Sequence, residues 1–431
     1  MNGIARRHTA WGIPSLFPLP FHIASCQAPG SMVYFFCNLS DLIPAAVLSG
    51  LLFPVRPAPA GKRLRDKGEV SNMKLGIVGL PNVGKSTLFN ALTGSHAETG
   101  SYSNAMGKPN IGQAKVPDPR LDWLADYYHP KKKTPATIDF VDVAGIKQGT
   151  GRGNAYLNTI RQVDALVHVV RCFENEEVFI EPANPVQDAE DLNTELILAD
   201  IELVERRLDR AKKNSKSGDK KYKREAEMCQ ELIDHLSDGR RAADFPFTEA
   251  DQDILTDGGL LTIKPVIYAA NLDEAGMADY ANHPGFQGLK KLAEEQGAAV
   301  LPVAAKFEEA IADMDPEEAE LFMEELGLTE RGLDRLIRTS YDLLGYISFL
   351  TSGEDECRAW TIVRGTKAPR AAGKVHTDIE RGFIRAEVIA FEDLKACEGS
   401  MSAAKEKGLV RSEGKEYVMN DGDVVFFRFN V

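Results

Sequence analysis

The chain has 431 residues, enough for two or three domains, and its 43% apolar and 27% charged residues are those of a soluble globular protein. A formal net charge of −13 argues against a protein coated by nucleic acid on all sides, while leaving room for a local basic patch. The six cysteines (Cys26, Cys37, Cys172, Cys229, Cys357, Cys397) are scattered without a C-x-x-C pair, which reads as reduced thiols in a cytoplasmic protein and no cysteine metal site.

Residues 1–72 differ in character from the rest. They carry seven Lys/Arg against three acids, many prolines and no sustained period. The apolar run 42–55 is broken by Pro44 and Pro54 and is too short to span a bilayer. Arg6 and Arg7 suit a signal peptide, but prolines interrupt the apolar region and a cytosolic type of domain follows. The reading is an unstructured leader, or an upstream start, with Met73 standing directly before the first strand.

Residues 74–92, KLGIVGLPNVGKSTLFNAL, supply a short apolar strand, a glycine-rich turn and an apolar helical pattern. That is the order of a phosphate-binding P-loop. Gly79 and Gly84 allow a tight turn whose N–H groups point inward at phosphate oxygens. Lys85 is positioned for the β- and γ-phosphates and Ser86 for Mg²⁺. The helix that follows aims its positive end at the same anion.

Residues 94–112 are rich in Gly, Ser and Asn and read as a switch loop. A helical pattern follows through Leu121, Leu124 and Tyr128, and 131–133 reads as a solvated turn. The second buried strand, 137–143, ends in Asp142-Val-Ala-Gly145. Asp142 would hold Mg²⁺ directly or through water, and the Gly145 N–H would meet the γ-phosphate. Ile146 stands where Ras-like GTPases carry a water-orienting glutamine, so another group positions water or hydrolysis is slow. The glycine-rich 147–154 follows as a mobile switch.

Strands are expected at 164–172, at 262–270 and at 299–306, with Pro265 near a strand start or an edge. The 262–270 strand runs into Asn271-Leu272-Asp273-Glu274 where guanine readers have Asn-Lys-x-Asp. The missing lysine and the longer fourth-place acid relax or invert a guanine preference, unless Asp273 restores it. Between the third and fourth strands, the stripes Leu192, Leu196, Ala199, Leu203 and Ala226, Cys229, Ile233, Leu236 predict an antiparallel helical hairpin broken at 214–218. Its tip, 206–224, holds ten Lys/Arg and two Asp, which is either an RNA or ribosome contact or a solvated helix end.

The C-terminal segment reads as a separate small α+β module. Strands are expected at 360–363, 374–379 and 386–389, one helix at 392–405, and a closing hairpin of 417–419 with 424–429. Mixed strands around one helix suggest a β-grasp. His376 and Arg385 read as structural or partner-facing.

The motifs GLPNVGKSTLFNALT, VPDPRLDWLA, DFVDVAGI, VDALVHVVRCFEN, NLDE and KVHTDIERGFIRAEVIAFEDL resemble the YchF/Obg-like ATPases, over residues 73–431. The resemblance implies an α/β fold with a Ras-like P-loop G domain at 73–345, a helical hairpin inserted at about 190–245, and a C-terminal β-grasp (TGS) domain at 346–431. It implies ATP preferred over GTP, Mg²⁺ dependence and ribosome association, with no membrane and no DNA specificity. By motif, Asn82, Val83, Gly84, Lys85, Ser86 and Thr87 would bind phosphates, and Ser86 and Asp142 the metal. Lys85 and Gly145 would serve catalysis, and Asn271, Leu272 and Glu274 would lie at the adenine. Two features depart from the family pattern. Met106 stands where a switch threonine ligates Mg²⁺, a role Ser101, Ser103 or a water could take, and the second switch is shortened to 149–153. The expected function is a slow Mg²⁺-dependent ATPase switch on the ribosome or a related RNA partner. The alternatives are an Obg-type GTPase and a module that holds nucleotide without turnover.

Overall fold

The computed structural model describes residues 73–94, 110–143, 154–175, 179, 181–216, 219–248, 251, 259–312 and 314–430. The chain divides into two units, 1–52 and 53–431, and every described residue lies in the second.

The first sheet is built from β1 (Lys74–Val78), β2 (Asn110–Lys115), β4 (Thr137–Asp142), β5 (Ala165–Arg171), β6 (Val266–Asn271) and β7 (Ala299–Val303), in the order β2-β4-β1-β5-β6-β7. All neighbours pair in parallel except the edge strand β2, which is antiparallel to β4. β5 is buried along its whole length, as a central parallel strand covered on both faces must be. Register brings the carboxyl ends of the parallel strands to one edge, with Ile77 opposite Asp142, Val78 opposite His168, and Arg171 opposite Asn271. In open α/β sheets that edge is where ligands sit.

α1 (Lys85–Thr93) follows β1 and buries Leu88, Phe89 and Leu92 against the sheet. α2 (Pro119–Tyr128) starts at Asp118, whose side chain accepts from the Arg120 N–H, and has a proline in its first turn, where no N–H is needed. α3 (Asn154–Arg161) precedes β5. The hairpin consists of α4 (Pro185–Ser215) and α5 (Lys220–Ser237). At 31 residues α4 is about 46 Å long. Its root residues Leu192, Leu196 and Ala199 pack against the sheet, and farther out Val204 and Leu208 meet Met228, Cys229, Leu232 and Leu236. The buried stripe of α5 thus runs through Leu232, with Ala226 and Ile233 at its margins. Buried Asp200 anchors the return chain by accepting from the Leu261 and Thr262 N–H groups at 2.8 Å.

α6 (Glu274–Ala278) and α7 (Pro284–Gln296) lie between β6 and β7. After β7 come α8 (Ala305–Ala312), α9 (Pro316–Glu325) and α10 (Gly332–Leu343). β6 begins at Val266, just past Pro265, and β7 ends at Val303, so Ala305 and Lys306 open a helix instead of extending the strand.

The second sheet has the order β11-β10-β12-β8-β9-β3, from β3 (Lys132–Thr134), β8 (Tyr346–Thr351), β9 (Glu356–Val363), β10 (Phe383–Ala390), β11 (Arg411–Glu413) and β12 (Asp423–Phe429). Four expectations change here. Residues 132–134 are no turn; they pair in parallel with 356–358 of β9. The 374–379 segment is helical, in α11 (Ala368–Val375) and α12 (Thr377–Arg381), because Ala368, Ala371 and Ala372 bury one helical face under the sheet. The helix expected at 392–405 is split into α13 (Phe391–Ala396) and α14 (Met401–Glu406) by Glu398 and Gly399, at φ 49° and 73°. β12 closes no hairpin with 417–419; it pairs antiparallel with β10 and parallel with β8.

The two sheets are joined by one core. Leu121 and Leu124 of α2, Leu336 of α10, Leu350, Ala359, Phe391 and Val424 belong to a single buried cluster with Leu75 and Ile77. The polar clamp over it is Arg120, whose guanidinium donates to Asp118 at 2.8 Å and to Asp421 at 2.8 and 3.3 Å.

Candidate active site

The P-loop fold follows from two backbone constraints. Gly79 has φ 156°, and a Cβ there would lie 2.5 Å from the Val169 carbonyl oxygen. Gly84 has φ 95°, and a Cβ there would lie 2.4 Å from Asn271 Nδ2. Asn82 also takes a left-handed conformation, φ 61°, which asparagine tolerates better than most residues. Gly84 caps α1 with no side-chain hydrogen bond among the described residues and no acid in the first turn, which leaves the first amides to an anion. Ser86 and Thr87 are part-buried in that turn.

Lys85 is 7% exposed and its Nζ donates to the Leu80 carbonyl at 2.6 Å. Burial lowers its ammonium to about 8, with the Asp142 charge acting the other way. Ser86 Oγ donates to Asp142 Oδ2 at 3.0 Å. Asp142 Oδ1 is buried with no hydrogen-bond partner among the described residues. Burial raises the Asp142 carboxyl, against the Ser86 hydrogen bond and the Lys85 charge. A buried carboxylate oxygen without a partner beside a serine hydroxyl fits a hard divalent cation. Among the described residues no group of three His, Cys, Asp or Glu could hold a metal by itself. Such a cation would therefore take its remaining oxygens from phosphate or water, as Mg²⁺ does.

Asn271 sits at the end of β6 and is buried. Its Nδ2 donates to the Val83 carbonyl and its Oδ1 accepts from the Ala305 N–H, both at 2.9 Å. One amide therefore ties the P-loop to β6 and to the start of α8. Leu272 is 3% exposed, packs in the core with Ala270 and Ala304, and donates its N–H to the Val303 carbonyl. Asp273 Oδ1 accepts from the Gly276 N–H at 2.7 Å as the cap of α6. Glu274 is exposed in the first turn of that helix.

Lys85, Ser86 and Asp142 thus meet, and Asn271 joins them through the P-loop backbone. Gly145, Ile146, Met106, Ser101, Ser103 and the 149–153 switch lie outside the described residues. Arg171, to which the sequence motifs assign no site role, is a buried cation at the end of β5. It donates to the Glu181 and Pro182 carbonyls and lies 3.9 Å from the Phe179 ring centroid, fixing the chain that leads to α4. A basic residue ending an apolar strand was the available signal. His168 is also buried, and its imidazole falls to about 3 through burial and the nearby Lys85 charge, so it stays neutral.

Residues 74–207 fit a family model described as a 50S ribosome-binding GTPase, and residues 346–430 fit the YchF-type C-terminal model, described as a protein of unknown function. The chain is 47% identical over 362 residues to the ribosome-binding ATPase YchF of Bacillus subtilis, covering 83% of this chain and 99% of that one. The chain belongs to the YchF/Obg-like ATPase family. Obg-like ATPase 1 of Oryza sativa subsp. japonica is 42% identical over 372 residues, covering 84% of this chain and 93% of its own length. The solved YchF GTPase of Schizosaccharomyces pombe superposes with a TM-score of 0.72 at 34% identity, covering 84% of this chain and 99% of that one. Residues 79–87 and Asp142 of this YchF-family chain fall within the first matched region.

Proposed function

We propose that this chain binds ATP with Mg²⁺ and hydrolyses it slowly, as a cytoplasmic switch on the ribosome. The observation that carries the reading is the meeting of Lys85, Ser86 and the Oδ1 of Asp142, unpartnered among the described residues, at a helix N-terminus without a side-chain cap. Its relatives are named as ribosome-binding or Obg-like ATPases, while the solved relative is named a GTPase. The choice of adenine therefore rests on Leu272 and Glu274, the two places where Asn271-Leu272-Asp273-Glu274 departs from Asn-Lys-x-Asp. Asp273 Oδ1 is engaged in capping α6, which weakens the alternative that it restores guanine binding.

The open amides of 82–87 would hold the phosphates in place. Lys85 would leave the Leu80 carbonyl to meet the β- and γ-phosphates, where its charge stabilises charge on the transferring group. Ser86 and Asp142 would hold Mg²⁺, which neutralises phosphate charge when bound. The Gly145 N–H is assigned to the γ-phosphate. No side chain is assigned as the base that positions water. The domain limits proposed are 73–345, with the hairpin at about 190–245, and 346–431. Ribosome contact is assigned to the basic arm tip and to the C-terminal domain. Among the described residues no helix is long and apolar enough to cross a membrane.

The test is phosphate release from ATP by the full chain. Release in Mg²⁺ above that of a Lys85→Ala control supports the reading, and Asp142→Asn should remove the Mg²⁺ dependence. Release equal to the control would leave a module that holds nucleotide without turnover.

A further inference from the structure

α9, whose sequence is PEEAELFMEE, follows the capping residue Asp315. One side of it is conventional: Ala319, Met323 and Leu326 pack against the core around Phe307 and Ile311. The other side is not. Glu318, Leu321, Phe322 and Glu325 fall at i, i+3, i+4 and i+7, which places them on one helical face. Leu321 is 66% exposed and Phe322 39% exposed. The Phe322 ring is held in place by stacking on Phe307, with centroids 5.7 Å apart. Single exposed apolar residues are ordinary, but an adjacent Leu-Phe pair rimmed by carboxylates on a folded helix has the make-up of a contact surface.

Charge selects the occupant. Residues 314–330 contain no Lys or Arg, while Asp315, Glu317, Glu318, Glu320, Glu324 and Glu325 are all acidic. Such a surface repels phosphate, which excludes nucleic acid and anionic lipid, and attracts cations. The pair at i+3 and i+4 offers an apolar anchor of the kind an amphipathic helix uses. We infer that the outer face of α9 docks a cationic amphipathic segment of a partner protein, with apolar side chains against Leu321 and Phe322 and Lys/Arg against Glu318 and Glu325. The face is one helix away from the nucleotide site, since α8 supplies both Phe307 and the Ala305 N–H that bonds Asn271.

The probe is a fluorescein-labelled Lys/Leu peptide of helical amphipathic pattern, titrated by anisotropy against the full chain. A scrambled peptide of equal charge, which lacks the apolar face, serves as comparator. The amphipathic peptide should bind at least about tenfold tighter than the scrambled one. Leu321→Ser should remove that difference, and Glu318→Lys with Glu325→Lys should weaken binding and flatten its salt dependence. Glu294→Lys with Glu295→Lys, which reverses exposed charge on α7, should leave binding unchanged. Thermal melting of each variant checks the fold, and exposed sites should leave it unmoved. Equal binding of both peptides, or binding indifferent to Leu321→Ser, would overturn the inference. So would concentration-dependent self-association abolished by Leu321→Ser, which would make the occupant a second copy's basic arm.

Discussion

Asn271→Ala separates two roles for the Asn-Leu-Asp-Glu segment. The amide side chain makes two buried hydrogen bonds of 2.9 Å, to the Val83 carbonyl and from the Ala305 N–H. Truncation orphans both backbone groups, at about 1–3 kcal/mol each, so unfolding free energy should fall by about 2–6 kcal/mol. The loss falls on the P-loop, whose Gly84 is shaped around this side chain. ATP and GTP share their phosphates, so both should bind about 10- to 100-fold more weakly, with their ratio held within about twofold. Calorimetric titration of both nucleotides and urea unfolding of the same preparation provide the two readouts. A variant of unchanged stability with a changed ATP-to-GTP ratio would refute the bracing role and make Asn271 a reader of the base. Glu274→Ala is the opposite case: an exposed residue whose loss should alter the ratio and leave stability unmoved.

Three other outcomes follow from the same geometry. Burial lowers Lys85 from the ordinary 10.5 to about 8, and bound phosphate anions would raise it again. Nucleotide binding then takes up a proton between those values, so ATP affinity should fall as pH rises above about 8, approaching tenfold per unit, and a Lys85→Ala variant should lack that slope. The unliganded protein should instead gain stability through the same window, because the unfolded lysine holds its proton longer. Arg120→Ala removes the clamp between Asp118, whose side chain is 6% exposed, and Asp421, whose side chain is 44% exposed, and should cost about 1–2 kcal/mol in urea unfolding. Changing Lys212, Lys213, Lys220 and Lys221 to Glu should abolish ribosome co-sedimentation at low salt, and unchanged sedimentation would remove RNA contact from the arm.

Local signals carried far in this chain wherever the neighbours in space are neighbours in sequence. The strand, glycine turn and helix of 74–93 form from contiguous residues, and the Asp142 strand end was readable from one apolar run. The hairpin was legible because two helical stripes face each other across a short break. Long-range pairing was not legible. Lys132 and Lys133 look like solvated charges because their strand partner, 356–358, lies more than 220 residues away. The 374–379 segment shows alternating residues that suit a strand, but the small face of Ala368, Ala371 and Ala372 holds it as a helix under the sheet. The bracing by Asn271 was hidden for the same reason. A base-reading motif names the residue, but only the fold shows that each end of its amide also bonds a backbone group of a distant segment.

The central claim is the choice of nucleotide at this P-loop. Titration of the purified chain with ATP and with GTP, each with Mg²⁺, tests it most directly. The account predicts tighter binding of ATP; clearly tighter binding of GTP would contradict it.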